Sequence, residues 1–289
     1  MRPTILLTGA GGQIGFELAR LLAHCGDVVA SDRAKLDLAD PDAIVAAMRG
    51  VQPALVVNAG AYTAVDRAET EPAIAQAVNA RAPGILAEEA KRLGAVLIHY
   101  STDYVFDGRR TTPYPEDATT APLNVYGESK LDGERAVAAT GAHALVFRTS
   151  WVYGLRGKNF LLTIRRLAAE RDELSVVADQ IGVPNGSRAI AEATVRAIGS
   201  GLPALAERAG LYHLSATGQA SWYDFACAIL GDGRRPRIVP ITSAEYPTPA
   251  RRPPYGVLAT ARFETAFGFG LPDWRIVLAG SLAVPPPPG

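Results

Sequence analysis

Thr4-Ile5-Leu6-Leu7-Thr8-Gly9-Ala10-Gly11-Gly12-Gln13-Ile14-Gly15 is the stretch on which the fold turns. Its first five residues are apolar or β-branched, the composition of a strand buried on both faces. Glycines follow, with Gly9, Gly12 and Gly15 spaced three apart. Phe16-Glu17-Leu18-Ala19-Arg20-Leu21-Leu22 then carries helical periodicity. Strand, glycine turn and helix, in that order, are the context in which a glycine motif cradles a dinucleotide. The glycines permit a tight turn and a close backbone approach to a pyrophosphate. The helix N-terminus offers the anion its free N–H groups.

The chain beyond this stretch repeats the alternation. Asp27 to Asp32 reads as the next strand, and Asp32 ends it about 20 residues past the glycine turn, where a carboxylate accepts hydrogen bonds from an adenosine ribose. A lone Asp there favours NAD, whereas the adjacent Arg33 is suited to a 2′-phosphate, so NADP stays open. Asp37-Leu38 follows in a loop that flanks the adenine. A helix over about 40–48 leads to a strand over 54–58, which runs into Ala59-Gly60-Ala61-Tyr62-Thr63-Ala64-Val65-Asp66. Small residues at the carboxyl end of a strand let a planar ligand lie against the backbone. A long helix over about 71–93, kinked at Pro83, precedes a strand over 96–100. That strand ends in Ser101-Thr102-Asp103-Tyr104, whose hydroxyls are placed to meet a substrate carbonyl. A helix over about 123–139 and a strand over 144–149 complete five strand–helix alternations. The pattern predicts an α/β fold, a Rossmann-type doubly wound parallel sheet.

The helix over 123–139 carries Tyr126 and Lys130, four residues apart and therefore on one face. An ammonium beside a phenol favours the phenolate, which makes the phenol a better proton donor near neutral pH. Such a pair serves proton transfer at a carbonyl or alcohol oxygen.

Composition limits the alternatives. The chain has 289 residues, and its 29 Lys+Arg balance 29 Asp+Glu, so no basic excess points to nucleic acid or to a membrane surface. No segment is apolar over the length of a membrane span, and the apolar N-terminal run ends in glycines without a cleavage pattern, so a cytoplasmic protein is expected. Cys25 and Cys227 fit a reducing compartment. The four histidines are scattered, and no Gly-x-Ser-x-Gly elbow is present, which argues against a zinc enzyme or a hydrolase. Residues 1–153 are expected to form the NAD(P)-binding domain, with about 186–214 returning to it. The rest of 154–289 is expected to be a smaller substrate-binding lobe ending in a disordered tail at 285–289. Arg234, Arg235, Arg237, Arg251 and Arg252 are candidates for an anionic substrate.

Four strings carry a closer resemblance: Gly12-Gln13-Ile14-Gly15, Asn58 to Asp66, Ser101 to Gly108 and Asp179-Gln180-Ile181-Gly182-Val183-Pro184. With Arg252-Pro253, Leu258 and Phe263 they resemble the dTDP-4-dehydrorhamnose reductases, a family of extended short-chain dehydrogenase/reductases. The resemblance implies reduction of the C4 keto group of dTDP-4-dehydro-L-rhamnose to dTDP-L-rhamnose with NADPH or NADH, for surface polysaccharide. It implies that Tyr126 protonates the C4 oxygen, that Lys130 lowers the phenol's pKa and holds the nicotinamide ribose, and that Thr102 hydrogen-bonds the keto oxygen. Gly9, Gly12, Gln13, Ile14 and Gly15 would meet the pyrophosphate, Asp32 and Arg33 the ribose end, and Asp37 and Leu38 the adenine. Ala61, Tyr62 and Thr63 would line the cofactor crevice. Trp151, Val65, Tyr104 and Arg252 would meet the sugar nucleotide. Glu17 fits a Mg²⁺ position at a dimer contact of some relatives, but Arg188 stands where a second glutamate is expected, and a cation opposes the metal. Gly256 stands where a Ser is expected. The resemblance leaves monomer and homodimer open. The alternatives are a reductase or epimerase of another nucleotide sugar, and a non-catalytic regulatory subunit like that of methionine adenosyltransferase.

Overall fold

The computed structural model describes residues 2–231 and 236–283. Six strands form the central sheet: β1 (Thr4–Thr8), β2 (Asp27–Ser31), β3 (Leu55–Asn58), β4 (Val96–Thr102), β5 (Ala144–Thr149) and β6 (Gly210–His213). All pairings are parallel, in the order β6-β5-β4-β3-β1-β2. Alternate side chains along each strand enter opposite cores, as the two-residue period requires. Ile5, Leu7, Leu55, Val57, Ile98, Leu145 and Phe147 share one cluster, whereas Leu6, Val56, Leu97 and Val146 belong to another.

Helices cover both faces. α1 (Gln13–Leu21) and α5 (Ser187–Ile198) pack together over the first cluster. α2 (Pro41–Val51), α3 (Ala82–Leu93) and α4 (Val125–Thr140) cover the second. Because β1 leads to β2 on one side while β3 lies on its other side, the order of the strands reverses there. A crevice opens at their carboxyl ends, where open α/β sheets take ligands. β6 extends the sheet beside β5, so this late segment joins the early strands.

The expected helix over 71–93 is three elements. Pro72–Gln76 is helical, Ala77–Arg81 widens into a π turn, and α3 starts at Ala82 with Pro83 in its first turn. Pro83 has no N–H to return to a preceding carbonyl, so the break falls just before it. Beyond β5 the chain forms further elements. Glu173–Val177 pairs in parallel with Arg237–Ile241, and helices cover Leu202–Glu207, Ala261–Phe267 and Trp274–Ala283. Phe160, Trp222, Phe225 and Trp274 form the aromatic centre of this second lobe. The expected disordered tail at 285–289 and Arg234 and Arg235 lie outside the described residues.

Candidate active site

A cavity of about 750 Å³ opens over the carboxyl ends of β1, β3 and β4. Gly9, Gly12, Gln13, Ile14, Asp32, Arg33, Asp37, Leu38, Ala61, Tyr62, Thr63, Tyr126 and Lys130 all line it. The glycine turn explains its floor. Gly12 caps α1 in an extended conformation with no side-chain cap, and no acidic residue occupies the first turn, so the helix N–H groups remain available to an anion. Gly9 has φ +69°, and a Cβ there would meet the Gly60 nitrogen at 2.4 Å. Gly15, expected among the cofactor contacts, instead faces the protein: a Cβ would sit 2.0 Å from the Gly9 carbonyl oxygen. Its task is to let α1 approach the turn. The cradle, with its bare backbone and free helix N-terminus, fits the diphosphate of a nicotinamide dinucleotide.

At the other end of the cleft Asp32 accepts from the Ala34 and Lys35 N–H groups, both at 3.1 Å. Its second carboxylate oxygen is left for a ribose. Arg33 is 78% exposed, with only a loose 3.7 Å contact to Asp37, so it is free to meet a further phosphate.

Tyr126 and Lys130 rise from the start of α4. Asn124 caps this helix by accepting from Gly127 N–H at 2.8 Å, and donates to the Arg251 carbonyl at 2.7 Å, tying α4 to the second lobe. Gly127 is required because a Cβ would lie 2.2 Å from the Tyr104 carbonyl oxygen. The Tyr104 ring meets the Tyr126 ring edge-on at 5.7 Å. Thr102, at the end of β4, donates to Asp103 at 3.1 Å and accepts from the Tyr104 N–H at 3.2 Å.

Burial pushes the Tyr126 phenol up to about 12; the Thr102 hydroxyl beside it pulls down and Asp103 pushes up. A phenol held above neutral pH carries the proton that a reduction needs. Lys130, expected to hold the phenol's pKa down, donates to the Tyr100 carbonyl at 2.6 Å instead. Burial drives Lys130 down to about 8, with the Glu134 carboxylate pulling up. His99, buried and held well below its usual pKa first by burial and then by Lys130, lies 3.4 Å from Lys130 Nζ and 3.0 Å from Asn58 Nδ2. Asn58 Oδ1 accepts from Thr8 at 2.7 Å and from Gly60 N–H at 3.2 Å. One buried chain of polar groups thus runs from β1 to Lys130. Asp103 keeps an unpartnered, buried oxygen, and burial first raises its carboxyl to about 7. A Cβ on Gly256 would stand 2.4 Å from that oxygen, so the expected Ser has no room beside Asp103 in this arrangement.

Several contributors carry no local sequence signal. Asn79, in the π turn, holds the Tyr62 N–H and carbonyl at 2.8 and 2.9 Å and donates to Ser129 at 3.0 Å. It clamps the cleft loop onto α4. Thr149, Arg156, Gly157 and Lys158 also line the cavity.

The residues expected to meet the sugar nucleotide divide. Tyr104 touches Tyr126, and Val65 begins a short helix, Val65–Ala68. Trp151, at φ +43°, stacks on Trp222 at 3.5 Å, and Gly182 leaves the space for its ring. Arg252 is held by Asp66 through two 2.8 Å hydrogen bonds and by Thr248 and the Ala250 carbonyl, so its guanidinium is already engaged. Arg237 pairs with Glu173 on the surface. Glu17 adds to the negative charge acting on Arg188, Arg188 pairs with Glu192 at 2.8 Å, and among the described residues no group of three His, Cys, Asp or Glu is placed to hold a metal.

A family model described as the RmlD substrate binding domain matches residues 1–284. The sequence is 49% identical over 286 residues to dTDP-4-dehydrorhamnose reductase of Burkholderia thailandensis, across 94% of this chain and 95% of that protein. The chain belongs to the dTDP-4-dehydrorhamnose reductase family. The Escherichia coli K12 protein of that name is 45% identical over 285 residues, covering 94% of each chain. Among solved structures, dTDP-4-dehydrorhamnose reductase of Bacillus anthracis, in complex with NADP, superposes with a TM-score of 0.90 at 33% identity, covering 98% of this chain and 99% of that one. UDP-glucose 4-epimerase of Thermus thermophilus, 20% identical with a TM-score of 0.76, shares the fold. As a member of the reductase family, the chain is an NAD(P)H-dependent oxidoreductase with a Rossmann-type sheet.

Proposed function

We propose that this protein reduces the C4 keto group of dTDP-4-dehydro-L-rhamnose to give dTDP-L-rhamnose, a precursor for surface polysaccharide, in the cytoplasm. The observation that carries the reading is that Tyr126, with Thr102 at its hydroxyl and Lys130 beside it, opens into the same cleft as a glycine turn at a free helix N-terminus. The reductases of B. thailandensis and E. coli K12, at 49% and 45% identity, supply the substrate class. The B. anthracis structure with NADP supports NADPH as the reductant. Among the described residues no helix is long and apolar enough to cross a membrane.

When bound, the reduced nicotinamide supplies the hydride. The chain's residues manage the oxygen. Tyr126 gives its phenolic proton to the C4 oxygen as that oxygen becomes an alkoxide, and Thr102 hydrogen-bonds the same oxygen. Lys130, fixed on the Tyr100 carbonyl, lines the cleft beside Tyr126 and is the residue that would hold the nicotinamide ribose. Tyr104 and Val65, which follow β4 and β3, and the Trp151–Trp222 stack are the groups that would meet the sugar nucleotide. Arg252 acts indirectly: bound to Asp66, it fixes the 250–256 segment beside Tyr104 and Asp103.

Purified protein mixed with dTDP-4-dehydro-L-rhamnose and NADPH tests the reading. The expected result is oxidation of NADPH with stoichiometric formation of dTDP-L-rhamnose. No NADPH oxidation under conditions in which the B. thailandensis enzyme turns over would overturn it.

A further inference from the structure

Arg156 and Lys158 stand on the rim of the cavity, on the segment that links the second lobe back to the glycine turn. We propose that these two side chains form a cationic clamp on the diphosphate of the nicotinamide cofactor, opposing the N-terminus of α1. The inference rests on the nicotinamide-cofactor reading of the cleft.

Three observations place the pair over the diphosphate rather than over either ribose. The Arg156 guanidinium lies 4.3 Å from the centroid of Phe16, one turn into α1. A Cβ on Gly157, at φ +75°, would come within 3.9 Å of Gln13 Cγ, so the loop lies directly on the glycine turn. Asn159 staples it there: its Nδ2 donates to Gln13 Oε1 and the Gly154 carbonyl at 2.9 Å and to the Arg156 carbonyl at 3.1 Å. Its Oδ1 accepts from the Leu162 N–H at 3.1 Å, so one side chain both caps a helix and holds the loop.

Charge points the same way. Neither Arg156 nor Lys158 has an ion-pair partner among the described residues, although Arg33, Arg188 and Arg252 all do. The first turn of α1 carries no acid. Two free cations and a free helix N-terminus therefore share one end of a cavity, a field that selects an anion. Asn159 fixes the loop in advance, so little ordering entropy is lost when the phosphates arrive.

The clamp differs from Arg33 in a measurable way. The diphosphate is common to NADH and NADPH, whereas Arg33 at the end of β2 is placed for a group that only NADPH carries. Titration calorimetry of both cofactors against wild type, R156A/K158A and R33A, at low and high salt, separates them. The double variant is expected to weaken NADH and NADPH by the same factor, on the order of tenfold for two partly solvated phosphate contacts, with a shallower dependence on salt. R33A is expected to weaken NADPH alone, and R156K/K158R to restore most of the affinity. Unchanged affinities in the double variant, or a loss confined to NADPH, would overturn the clamp. Wild-type protein that binds neither cofactor would instead remove the cofactor reading, and the clamp with it. Both side chains are exposed, so the melting temperature of the variants is expected to match wild type.

Discussion

Replacing Glu134 by Ala should unlock α4 from the sheet. Glu134 lies on α4 one turn beyond Lys130, and both its oxygens are taken up by Arg148 of β5, at 2.8 Å from Nε and 2.6 Å from Nη2. Ser101, next to Thr102, donates to the same carboxylate. The pair is shut away from water, with side-chain exposures of 3% for Arg148 and 8% for Glu134. Without the carboxylate, the guanidinium keeps a 3.3 Å contact to the Glu116 carbonyl and the face of Phe106 at 5.0 Å. Neither neutralises a buried charge. Removing one partner of such a pair costs about 3–5 kcal/mol, a large share of the roughly 5–15 kcal/mol that holds a domain folded. At about 2–4 °C per kcal/mol for a chain of this size, thermal unfolding should begin roughly 6–20 °C earlier. Calorimetry or urea unfolding measures it. A loss under about 1 kcal/mol would refute the reasoning, because Arg148 would then have reached water or another partner. The paired change E134L/R148M, which removes both charges, should recover most of the loss.

Three further outcomes follow from the same geometry. Gly15→Ala forces a Cβ to within 2.0 Å of the Gly9 carbonyl oxygen, a backbone atom with no room to yield, so it should cost at least about 1–3 kcal/mol and impair cofactor binding. Wild-type stability and cofactor affinity in that variant would show that the turn tolerates the shift. Burial raises the Asp103 carboxyl from an ordinary 3.8 to about 7, so between these values the folded state holds a proton that the unfolded state releases. Stability should therefore fall as pH rises through that window, by up to about 1.4 kcal/mol per pH unit. The slope should disappear in Asp103→Asn, and parallel pH profiles of urea unfolding would contradict it. Asn79→Ala frees the loop that carries Tyr62 and should raise KM for the cofactor with little change in kcat; an unchanged KM would deny Asn79 its positioning role.

The sheet was legible because its determinants are local. Each of β1 to β5 is a short apolar run bounded by turn residues, and the glycine spacing, Asp32 and the Tyr126–Lys130 pair lie within single elements. What escaped depends on contacts distant in sequence. Glu173–Val177 finds Arg237–Ile241 across some sixty residues, and no local pattern announces that pairing. Arg252 reads as a free cation until Asp66, 186 residues away, is seen to hold it. Lys130 spends its ammonium on the Tyr100 carbonyl, a backbone group with no sequence signature. Gly15 fits the dinucleotide spacing, yet spacing does not reveal whether a glycine faces the ligand or the protein. Arg156 and Lys158 fall beyond the last alternating strand and reach the glycine turn only because the chain folds back.

The central claim is that Tyr126 delivers the proton to the substrate oxygen at this site. It is tested most directly by the turnover of Tyr126→Phe with dTDP-4-dehydro-L-rhamnose and saturating NADPH. The substitution removes one hydroxyl from a half-buried ring and leaves Lys130 on the Tyr100 carbonyl. The expected result is a fall in kcat of about 10²–10⁴ with cofactor affinity intact. A variant that turns over at the wild-type rate would contradict it.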